Sequence, residues 1–382
     1  MMLSDWTLWI EWFVKSLVVI LALLGGFAYL TWYERRALAR IQSRIGPNRA
    51  GPLGLLQPIA DAVKLIFKEE LTPAKADKIL FFWAPVITMV PSIVLAATIP
   101  FGPDVEMFGR TITLSVANIN VGVLYLMSIA SIAVYGIVLA GWSSNSKYAM
   151  LGGLRSSAQM ISYELSLGLM FVTAIILADS MNLHEIVDRQ AGMWYVVVQP
   201  VGALIFLIVT LAEVNRAPFD MPEAEQELTA GYHSEYSGMK FALFFMAEYQ
   251  KMIVISMIAA TLFFGGYREF WFLQDTIFSV DRYWWLGPIY LFIKVVFLLF
   301  LMIWVRATWP RIRYDRLMSF GWKILLPLSL VIAFITAAGV LLTDDLNNPV
   351  WIWSVPLVSA VVGIFTVVIV YRELRRKVYE RA

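Results

Sequence analysis

Nine long runs of apolar residues follow one another along the chain, and the segments between them carry most of its charges. Each run has about 17–25 residues, the length that a helix needs to cross the hydrocarbon core of a bilayer. None alternates apolar and polar residues strictly enough for a strand of a transmembrane barrel. The pattern therefore predicts an all-α polytopic membrane protein of about nine transmembrane helices. The predicted spans are residues 9–33, 79–99, 119–141, 158–178, 195–214, 240–265, 285–307, 323–342 and 352–371.

A further helix is predicted in the first polar segment, at residues 55–68, which is too short and too charged to cross a membrane. Its apolar residues, from Leu55 to Phe67, recur at three- and four-residue spacing, while Asp61 and Lys64 fall on the opposite face. This pattern is typical of an amphipathic helix that lies along the membrane surface. The sequence contains no internal repeat and no nucleotide-binding glycine loop, so residues 1–382 are predicted to form a single membrane domain.

The basic residues predict the orientation of the chain, because loops rich in Lys and Arg stay in the cytoplasm. The loops at 34–78, 142–157, 212–239 and 306–323, with Lys240 and the C-terminal residues 372–382, hold 23 of the 30 lysines and arginines. The segments of the other side hold four. We therefore expect the N-terminus outside, the C-terminus in the cytoplasm, and these four loops on the cytoplasmic side.

The composition excludes several kinds of redox chemistry. The chain has no cysteine, which rules out thiolate-bound iron–sulfur clusters and disulfides. Its two histidines, His184 and His233, lie on different predicted segments, which argues against a bis-histidine haem within one chain. We expect no metal site, no redox centre and no catalytic group in this chain, and nothing indicates a nucleic-acid partner.

The loop between the fifth and sixth spans is unusually acidic. Residues 212–238 carry six carboxylates and one basic side chain, Arg216. A solvated acidic loop is the ordinary interpretation of such a composition. The orientation predicted above, however, puts this loop on the cytoplasmic side, and the two flanking spans contain charged residues of their own. Both observations favour a functional interpretation.

Charged residues inside the predicted spans are costly, at about 2.5–3.5 kcal/mol each near the bilayer centre on insertion scales. Glu164 and Glu248 lie roughly 9 and 12 Å deep in their spans, counted at 1.5 Å per residue, and Glu213 closes the fifth span. All three belong to the half of the membrane beneath the acidic loop. This arrangement predicts a polar funnel that leads inward from the cytoplasm and that could carry protons.

Two lysines also lie within spans. Lys251 is one helical turn from Glu248 and could neutralise it, and such a pair could also serve only to fix helix packing. Lys294 lies in the middle of the seventh span, where snorkelling to the surface is difficult, so we expect an interior partner for it. The residues predicted to form the proton path are Glu164, Glu213, Glu248, Lys251 and Lys294.

Four blocks of the sequence resemble the subunit 1 family of NADH:quinone oxidoreductase, respiratory complex I, in the longer bacterial form known as the H subunit. The block around Asn215 to Glu225, with the sequence NRAPFDMPEAE, is highly specific for that family. Together the blocks cover essentially the whole predicted cytoplasmic side, in order. They are the residues 34–69, 141–164, 213–238 and 306–315.

The resemblance implies a membrane subunit at the junction of the membrane arm and the peripheral arm of a multisubunit translocase in the bacterial inner membrane. Its cytoplasmic loops would help to close a chamber in which a quinone, ubiquinone or menaquinone, is reduced. The FMN and the iron–sulfur clusters that supply the electrons would belong to partner subunits. The implied partners are the quinone-site subunits of the peripheral arm, small membrane-arm subunits, the quinone and the lipid bilayer.

On this basis we expect the end of the first span, the amphipathic helix and the acidic loop to line the chamber and its mouth. Arg44, Arg49 and Asp61 are expected at the mouth and the docking face for the peripheral arm. The predicted chamber residues are Glu34, Arg35, Arg36, Arg44, Asp61, Arg216, Phe219, Asp220, Glu223, Glu225 and Glu227.

Two alternatives remain open at this point. Membrane subunits of energy-converting hydrogenases and of ferredoxin- or F420-dependent oxidoreductases resemble this family, although hydrogenase relatives are expected to match the chamber blocks poorly. A cation/proton antiporter is the alternative from another class. It would be expected to show inverted repeats and broken helices at matching positions of two halves, which the sequence does not indicate.

Overall fold

A computed structural model describes residues 2–107, 110–220, 231–270, 273–274, 278–345 and 352–379. The helices of the first half are α1 Met2–Ile41, α2 Gln57–Phe67, α3 Lys78–Val94, α4 Gly122–Ser143, α5 Lys147–Ala178, α6 Leu183–Arg189, α7 Tyr195–Val198 and α8 Pro200–Glu213. Those of the second half are α9 Gly238–Phe263, α10 Leu286–Thr308, α11 Tyr314–Phe320, α12 Leu326–Asp345 and α13 Ser354–Tyr379. Short 3₁₀ turns lie at Pro52–Gly54, Leu95–Thr98 and Gly231–His233, and a π-helical turn lies at Gly321–Leu325.

Within the described residues, eight helical segments are long and apolar enough to cross a membrane, which agrees with an all-α polytopic membrane protein. They are Leu8–Ile41, Lys78–Thr98, Gly122–Ser143, Lys147–Ala178, Gly238–Phe263, Leu286–Thr308, Tyr314–Thr343 and Ser354–Arg372. Helices α3, α4, α5 and α9 pack against one another in the middle of the bundle, with α1 and α10 on one side and α12 and α13 on the other.

The fifth apolar run differs from the prediction, because it is not one continuous helix. Helix α7 ends at Val198, Gln199 adopts a non-helical conformation, and α8 begins at Pro200. Proline has no backbone N–H and disfavours a helical conformation in the residue before it, so the chain breaks here. Helix α8 has 14 residues, or roughly 21 Å, which is shorter than the hydrocarbon core.

Several helices also extend beyond their apolar runs, so the loops are shorter than predicted. Only three residues, 144–146, join α4 to α5, where the sequence predicted a loop at 142–157. In the predicted loop at 306–323, α10 continues to Thr308 and α11 begins at Tyr314. Charged residues at helix ends lie outside the hydrophobic pattern, which is why the pattern could not extend the helices through them.

The predicted amphipathic helix is confirmed as α2, which packs against α1 and α9. Ile59, Val63 and Ile66 remain exposed on its apolar face, as a surface helix in contact with lipid requires. A two-stranded antiparallel hairpin after α3 was not predicted. Its strands are β1 Val105–Met107 and β2 Arg110–Ile112, with Val105 opposite Ile112.

Candidate functional site

The site begins where helix α8 ends. Asn215 has a left-handed conformation with φ 55°, which asparagine tolerates better than most residues. Its N–H donates to the carbonyl of Ala212, and the N–H of Arg216 donates to the carbonyl of Leu211. This pair of hydrogen bonds is a Schellman termination, and it turns the chain back sharply. As a result Glu213 and Arg216, on either side of the turn, are both buried at 2% exposure.

A fully buried amide on α5 holds this turn. Gln159 Nε2 donates to the carbonyl of Ala212 and to the carbonyl of Phe219, each at 2.9 Å. These two acceptors mark the start and the end of the segment that contains Arg216. Phe219 is itself buried against the ring of Tyr163 on the same helix, with ring centroids 5.8 Å apart. Helix α5 therefore fixes the distance across the turn.

The segment after the turn is tied to the connection between α10 and α11. The N–H of Ile312 donates to the carbonyl of Pro218. Arg311 Nη2 lies 2.9 Å from Oδ2 of Asp220, a carboxylate whose side chain is 1% exposed. The structure thus brings together the third and fourth sequence blocks, which are far apart in the chain.

Arg216 is the centre of a buried group of charges, the Arg216 cluster, consisting of Glu34, Arg216, Glu248 and Arg306. Arg216 Nη2 lies 2.9 Å from Oε2 of Glu34, and its Nε lies 3.2 Å from Oε1 of Glu248. Arg306 Nη1 pairs with the other oxygen of Glu34. The guanidinium of Arg216 also lies 4.3 Å from the ring centroid of Tyr249, a cation–π contact. Two positive and two negative groups from α1, α9, α10 and the turn therefore compensate one another.

Lys251 and Glu213 form a second buried pair. Lys251 Nζ lies 2.7 Å from Oε1 of Glu213, and the two side chains are 10% and 2% exposed. The predicted partner of Lys251 was Glu248, one turn away on the same helix, and that prediction is wrong. Glu248 faces the guanidinium of Arg216 instead, whereas Lys251 reaches across to α8.

The Glu213–Lys251 pair stands between two small cavities of about 30 Å³ each. Glu164 lines the first cavity together with the pair, and Glu248 lines the second together with the pair. Each volume is about the volume that one water molecule occupies in liquid water. Within the described residues, Oε2 of Glu213 and Oδ1 of Asn215 are buried without a hydrogen-bond partner, so both can bind water in such a space. Ser131 donates a hydrogen bond to Glu164, which lines the first cavity.

A second group of predicted residues lies at the end of α1, next to α2. Arg35 Nη1 pairs with Oδ2 of Asp61 at 2.6 Å, and the two side chains are 46% and 27% exposed. Arg36 donates to the carbonyl of Leu53 at 2.9 Å and lies over the ring of Trp32. Arg44 is exposed beyond the end of α1. The predicted chamber residues Glu223, Glu225 and Glu227 lie outside the described residues.

Lys294 lies away from Glu164, Glu213 and Glu248, and the carboxylate that interacts with it electrostatically is the buried Glu269. Its Nζ donates to the carbonyl of Gly266 at 2.9 Å and of Arg268 at 2.6 Å, and it lies 4.3 Å from the ring centroid of Trp194. The interior partners that the sequence predicted are therefore backbone carbonyls beyond the end of α9, together with the charge of Glu269. These contacts are at the end of α9 opposite to Glu248, so the structure does not bring Lys294 to the other predicted proton-path residues.

Sequence reasoning missed three residues of the site: Gln159, Asn215 and Arg306. Each was part of a block that carried the family resemblance, but none was assigned a role. An amide at the edge of an apolar run was the available signal for Gln159, and an asparagine directly after a helix was the signal for Asn215. For Arg306 the only signal was a charge at a helix end, which is also what an interfacial arginine looks like.

The residues that re-enter the bundle before α9 contain two perturbed groups. The ring of His233 packs against Tyr232 and Phe244, and its Nδ1 is buried, so burial lowers its pKa to about 3. The ring of Tyr236 is stacked on Phe81 at 4.0 Å, and burial raises its pKa to about 12. Both side chains are therefore neutral near pH 7.

Comparison with known proteins identifies the family. A family model described as NADH dehydrogenase matches residues 14–337. The H subunit of the NADH-quinone oxidoreductase of Thermomicrobium roseum is 49% identical over 337 residues, which are 86% of this chain and 95% of the relative. One of the H subunits of Geobacter metallireducens is 50% identical over 335 residues, 85% of this chain and 93% of the relative. The H subunit of Deinococcus radiodurans is 50% identical over 329 residues, 85% of this chain and 82% of the relative. The turn with its buried arginine and paired carboxylates thus lies in a chain that belongs to the H-subunit family of the NADH-quinone oxidoreductases.

Proposed function

We propose that this chain is the H subunit of a proton-translocating NADH:quinone oxidoreductase. In that complex it forms the quinone-binding chamber with subunits of the peripheral arm and couples quinone reduction to proton translocation through its buried carboxylates. The observation that carries the proposal is the series of charged groups from Glu34 through Arg216 and Glu248 to Glu213 and Glu164, joined by ion pairs and two water-sized cavities.

The chamber is the part of the proposal that concerns the quinone. Arg216 and Arg306 lie around Glu34 at the end of α1, and Arg35, Arg36 and Asp61 lie close by between α1 and α2. The amphipathic helix α2 keeps its apolar face exposed next to these charges. A polar chamber with an apolar entrance suits a quinone, because its head group is polar and its tail is hydrocarbon. Phe219, Asp220 and the acidic residues that follow would close the chamber on the side of the peripheral arm.

The path is the part that concerns protons. A carboxylate that is buried beside one cation can release or accept a proton when the nearby charges change, because burial favours its neutral form and the cation favours its charged form. When quinone reduction changes the charge of the chamber, Arg216 redistributes its interaction between Glu34 and Glu248. A proton then moves from Glu248 through the second cavity to Glu213, and from Glu213 through the first cavity to Glu164. Lys251 holds the charge of Glu213 between these steps. Lys294 takes no part in this sequence, because its contacts lie at the opposite end of α9.

The chain contributes no electron carrier in this proposal. FMN and iron–sulfur clusters would lie in partner subunits, and the quinone would be the substrate. Among the described residues no group of three or more His, Asp or Glu could hold a metal ion. The orientation that we propose, with the C-terminus in the cytoplasm of a bacterial cell, puts the Arg216 cluster on the side where a peripheral arm would dock.

The alternative functions differ in their electron donor. A hydrogenase or a ferredoxin- or F420-dependent enzyme would use a donor other than NADH, and an antiporter would use none. Relatives near 50% identity are named for NADH and quinone, which favours our proposal over a hydrogenase or a ferredoxin- or F420-dependent enzyme. The break before Pro200 is a feature that also occurs in secondary transporters, although the sequence pattern indicated no broken helix. The sequence does not indicate the inverted repeats that an antiporter would be expected to show.

The experiment is to purify the assembly from its native membranes in mild detergent through a tag on this chain, and to return it to sealed vesicles. We expect NADH to reduce quinone in an inhibitor-sensitive reaction and to acidify the vesicle interior. Reduced ferredoxin and reduced F420 should fail as donors. Activity with either of these donors but not with NADH would contradict our proposal and favour a ferredoxin- or F420-dependent oxidoreductase. Acidification driven by a sodium gradient alone would favour an antiporter.

A further inference from the structure

A long apolar groove lies on the membrane face of the protein, between α1 and α10, and the proposed function makes no use of it. Its volume is about 780 Å³. Helix α1 lines one wall from Val14 to Tyr33, α10 lines the other from Pro288 to Leu299, and Ile253 and Met257 of α9 form part of the floor. Apart from Lys15, Ser115 and the polar atoms of aromatic residues, the lining is apolar.

The dimensions of the groove decide what can fill it. Val14 and Tyr33 are 19 residues apart on one helix, so the groove is roughly 28 Å long, close to the thickness of the hydrocarbon core. Its volume then corresponds to a mean cross-section of roughly 28 Å² over that length. A helix with side chains is about 10–12 Å wide, or roughly 80–110 Å² in cross-section. Averaged over that length, the enclosed space is narrower than a whole helix and wide enough for an extended hydrocarbon chain. A hydrocarbon chain therefore fills it better than a helix of a partner protein or of a second copy.

The charged residues of the groove lie at one end, which indicates where a polar head group would bind. Lys15 lines the groove at the N-terminal end of α1, and it is paired with Glu11 one turn away. Trp284 lines the same end, at the level where tryptophans favour the membrane interface. An ammonium and a carboxylate side by side complement a zwitterionic head group, which carries a phosphate and an ammonium. The other end of the groove is lined by the aromatic residues Tyr29, Trp32 and Tyr33, and among the described residues no charged side chain lines it.

We infer that this groove is a binding site for a zwitterionic phospholipid, with its head group at the Glu11–Lys15 pair and one acyl chain lying between α1 and α10. The head group lies about a membrane thickness from Glu34, since 19 residues of helix separate Lys15 from Glu34. The site is therefore distinct from the proposed quinone chamber, and it opens at the opposite membrane face. The inference does not depend on the proposed function.

The first test uses substitutions that fill the groove, each with a neighbour that does not line it. Ala22 and Val296 line opposite walls, whereas Leu21 and Phe297 are exposed and lie outside the lining. Ala22→Trp and Val296→Trp should each lower by one the number of phospholipid molecules that stay with the purified complex through a detergent wash, measured by native mass spectrometry. Leu21→Trp and Phe297→Trp should retain the wild-type number. Equal phospholipid counts in all four variants would overturn the inference.

The second test starts from the wild-type complex, so that it remains decisive if a groove-filling variant fails to assemble. The complex is reconstituted with a phosphatidylethanolamine that carries a photoreactive diazirine in one acyl chain. We expect adducts at groove residues such as Ala22 and Val296, reduced in yield at least threefold by Lys15→Met, which removes the cation. Adducts confined to Leu21, Phe297 and other residues outside the groove would contradict a bound lipid. Labelling of the groove by a photoreactive quinone tail but not by the phospholipid would overturn it as well.

Discussion

Glu213 on α8 and Lys251 on α9 form an ion pair at 2.7 Å that separates two water-sized cavities. One oxygen of Glu213 is bonded to Lys251, and the other, which has no hydrogen-bond partner within the described residues, is free to take a proton. Every connection between Glu164 and Glu248 through these cavities passes this pair. It is therefore the point at which a structural role and a proton role can be separated by mutation.

Our first prediction concerns this pair. Glu213→Gln removes one partner and leaves Lys251 buried without its counter-charge, which costs about 3–5 kcal/mol in comparable pairs. We expect less assembled complex and a loss of about tenfold or more in turnover per complex. The double variant Glu213→Gln/Lys251→Met removes both charges, so its assembly should recover. Its turnover should stay low, because the ionisable group is still absent.

The measurement is NADH-dependent quinone reduction, divided by the amount of assembled complex in the same membranes. Recovery of turnover together with assembly in the double variant would mean that the pair serves only to fix packing. Glu248→Gln extends the test, because Glu248 lines only the second cavity. It should lower turnover per complex while Lys251 keeps its partner.

A second prediction concerns the geometry of Arg216. A guanidinium can contact Glu34 and Glu248 at once through different nitrogens, whereas an ammonium on a flexible stem cannot hold the same two carboxylates in a fixed plane. Arg216→Lys keeps the charge but should lower turnover by about tenfold or more. The matched control is Arg268→Lys, since Arg268 also lies between two carboxylates, Asp188 and Asp281, at the other end of α9.

Steady-state turnover and the KM for a short-chain quinone should be measured for both variants. We expect Arg268→Lys to behave like the wild type in both parameters, because its partners are exposed and exposed pairs contribute about 1 kcal/mol or less. Equal losses in the two variants would show that any change of a paired arginine disturbs assembly, and the special role of Arg216 would be rejected.

The third prediction tests the two hydrogen bonds by which Gln159 holds the turn after α8. Gln159→Leu removes both hydrogen bonds to the carbonyls of Ala212 and Phe219. The carbonyl of Ala212 keeps the N–H of Asn215, whereas the buried carbonyl of Phe219 loses the partner shown for it, at a cost of about 1–3 kcal/mol. We expect the KM for quinone to rise, because the position of Arg216 relative to Asp220 is no longer fixed. Gln190→Leu is the control, since Gln190 is equally buried and also donates to two carbonyls, those of Ile186 and Thr261.

Gln190→Leu should lose at least as much thermal stability as Gln159→Leu, because Oε1 of Gln190 also accepts from the N–H groups of Tyr195 and Gly265. The control therefore separates a general loss of stability from a specific effect on the KM. Only Gln159→Leu should change the KM, since Gln190 lies at the opposite end of the helices. If the KM changes in neither variant, or in both, Gln159 has a structural role alone.

The sequence was sufficient to predict the architecture because hydrophobic length is a strong signal. Eight of the nine runs correspond to long apolar helices, and the amphipathic helix was found within two residues of its observed ends. The fifth run was misjudged because a proline within an apolar run is compatible with a kinked helix as well as with a break. Gln199 ends the helix here, and its amide bonds to Thr336 on α12, a contact that local pattern cannot reveal.

The sequence indicated residues that belong to the site, but not which of them form ion pairs with one another. Glu213 and Glu248 were identified because charges inside apolar runs are conspicuous. The partner of Lys251 was wrong, because spacing along one helix indicates which residues can meet and not which residue of another helix lies closer. Arg216 decides the outcome, since it takes Glu248 and leaves Lys251 for Glu213. Such choices depend on tertiary packing.

A fourth prediction tests the orientation, for which the sequence has a useful property: it contains no cysteine. Single cysteines at Ser43 and Ser234, both exposed, should react with a membrane-impermeant maleimide only from the cytoplasmic side. Cysteines at Asp104 and Asp179, exposed between other spans, should react only from outside. Labelling of Ser234→Cys from outside would invert the topology and remove the Arg216 cluster from the side of the peripheral arm.

The last prediction concerns pH and residues 231–236. Burial lowers the pKa of His233 to about 3 in the folded segment, whereas an opened segment would titrate near 6.5. Between these two values the opened form binds a proton that the folded form does not. The free energy of opening is therefore constant above about pH 6.5 and falls by up to roughly 1.4 kcal/mol per pH unit below it.

Hydrogen exchange of the backbone amides of residues 231–236, corrected for the intrinsic effect of pH on exchange, measures this free energy directly. From pH 7 to pH 5 we expect protection of these amides to decrease in the wild type. In His233→Gln the side chain cannot be protonated, so the same amides should show no such trend. Residues 183–189 are an internal reference in both proteins, because His184 there has its own lowered pKa from burial and is unaffected by the substitution. A pH trend at residues 231–236 that survives His233→Gln would assign the transition to another group.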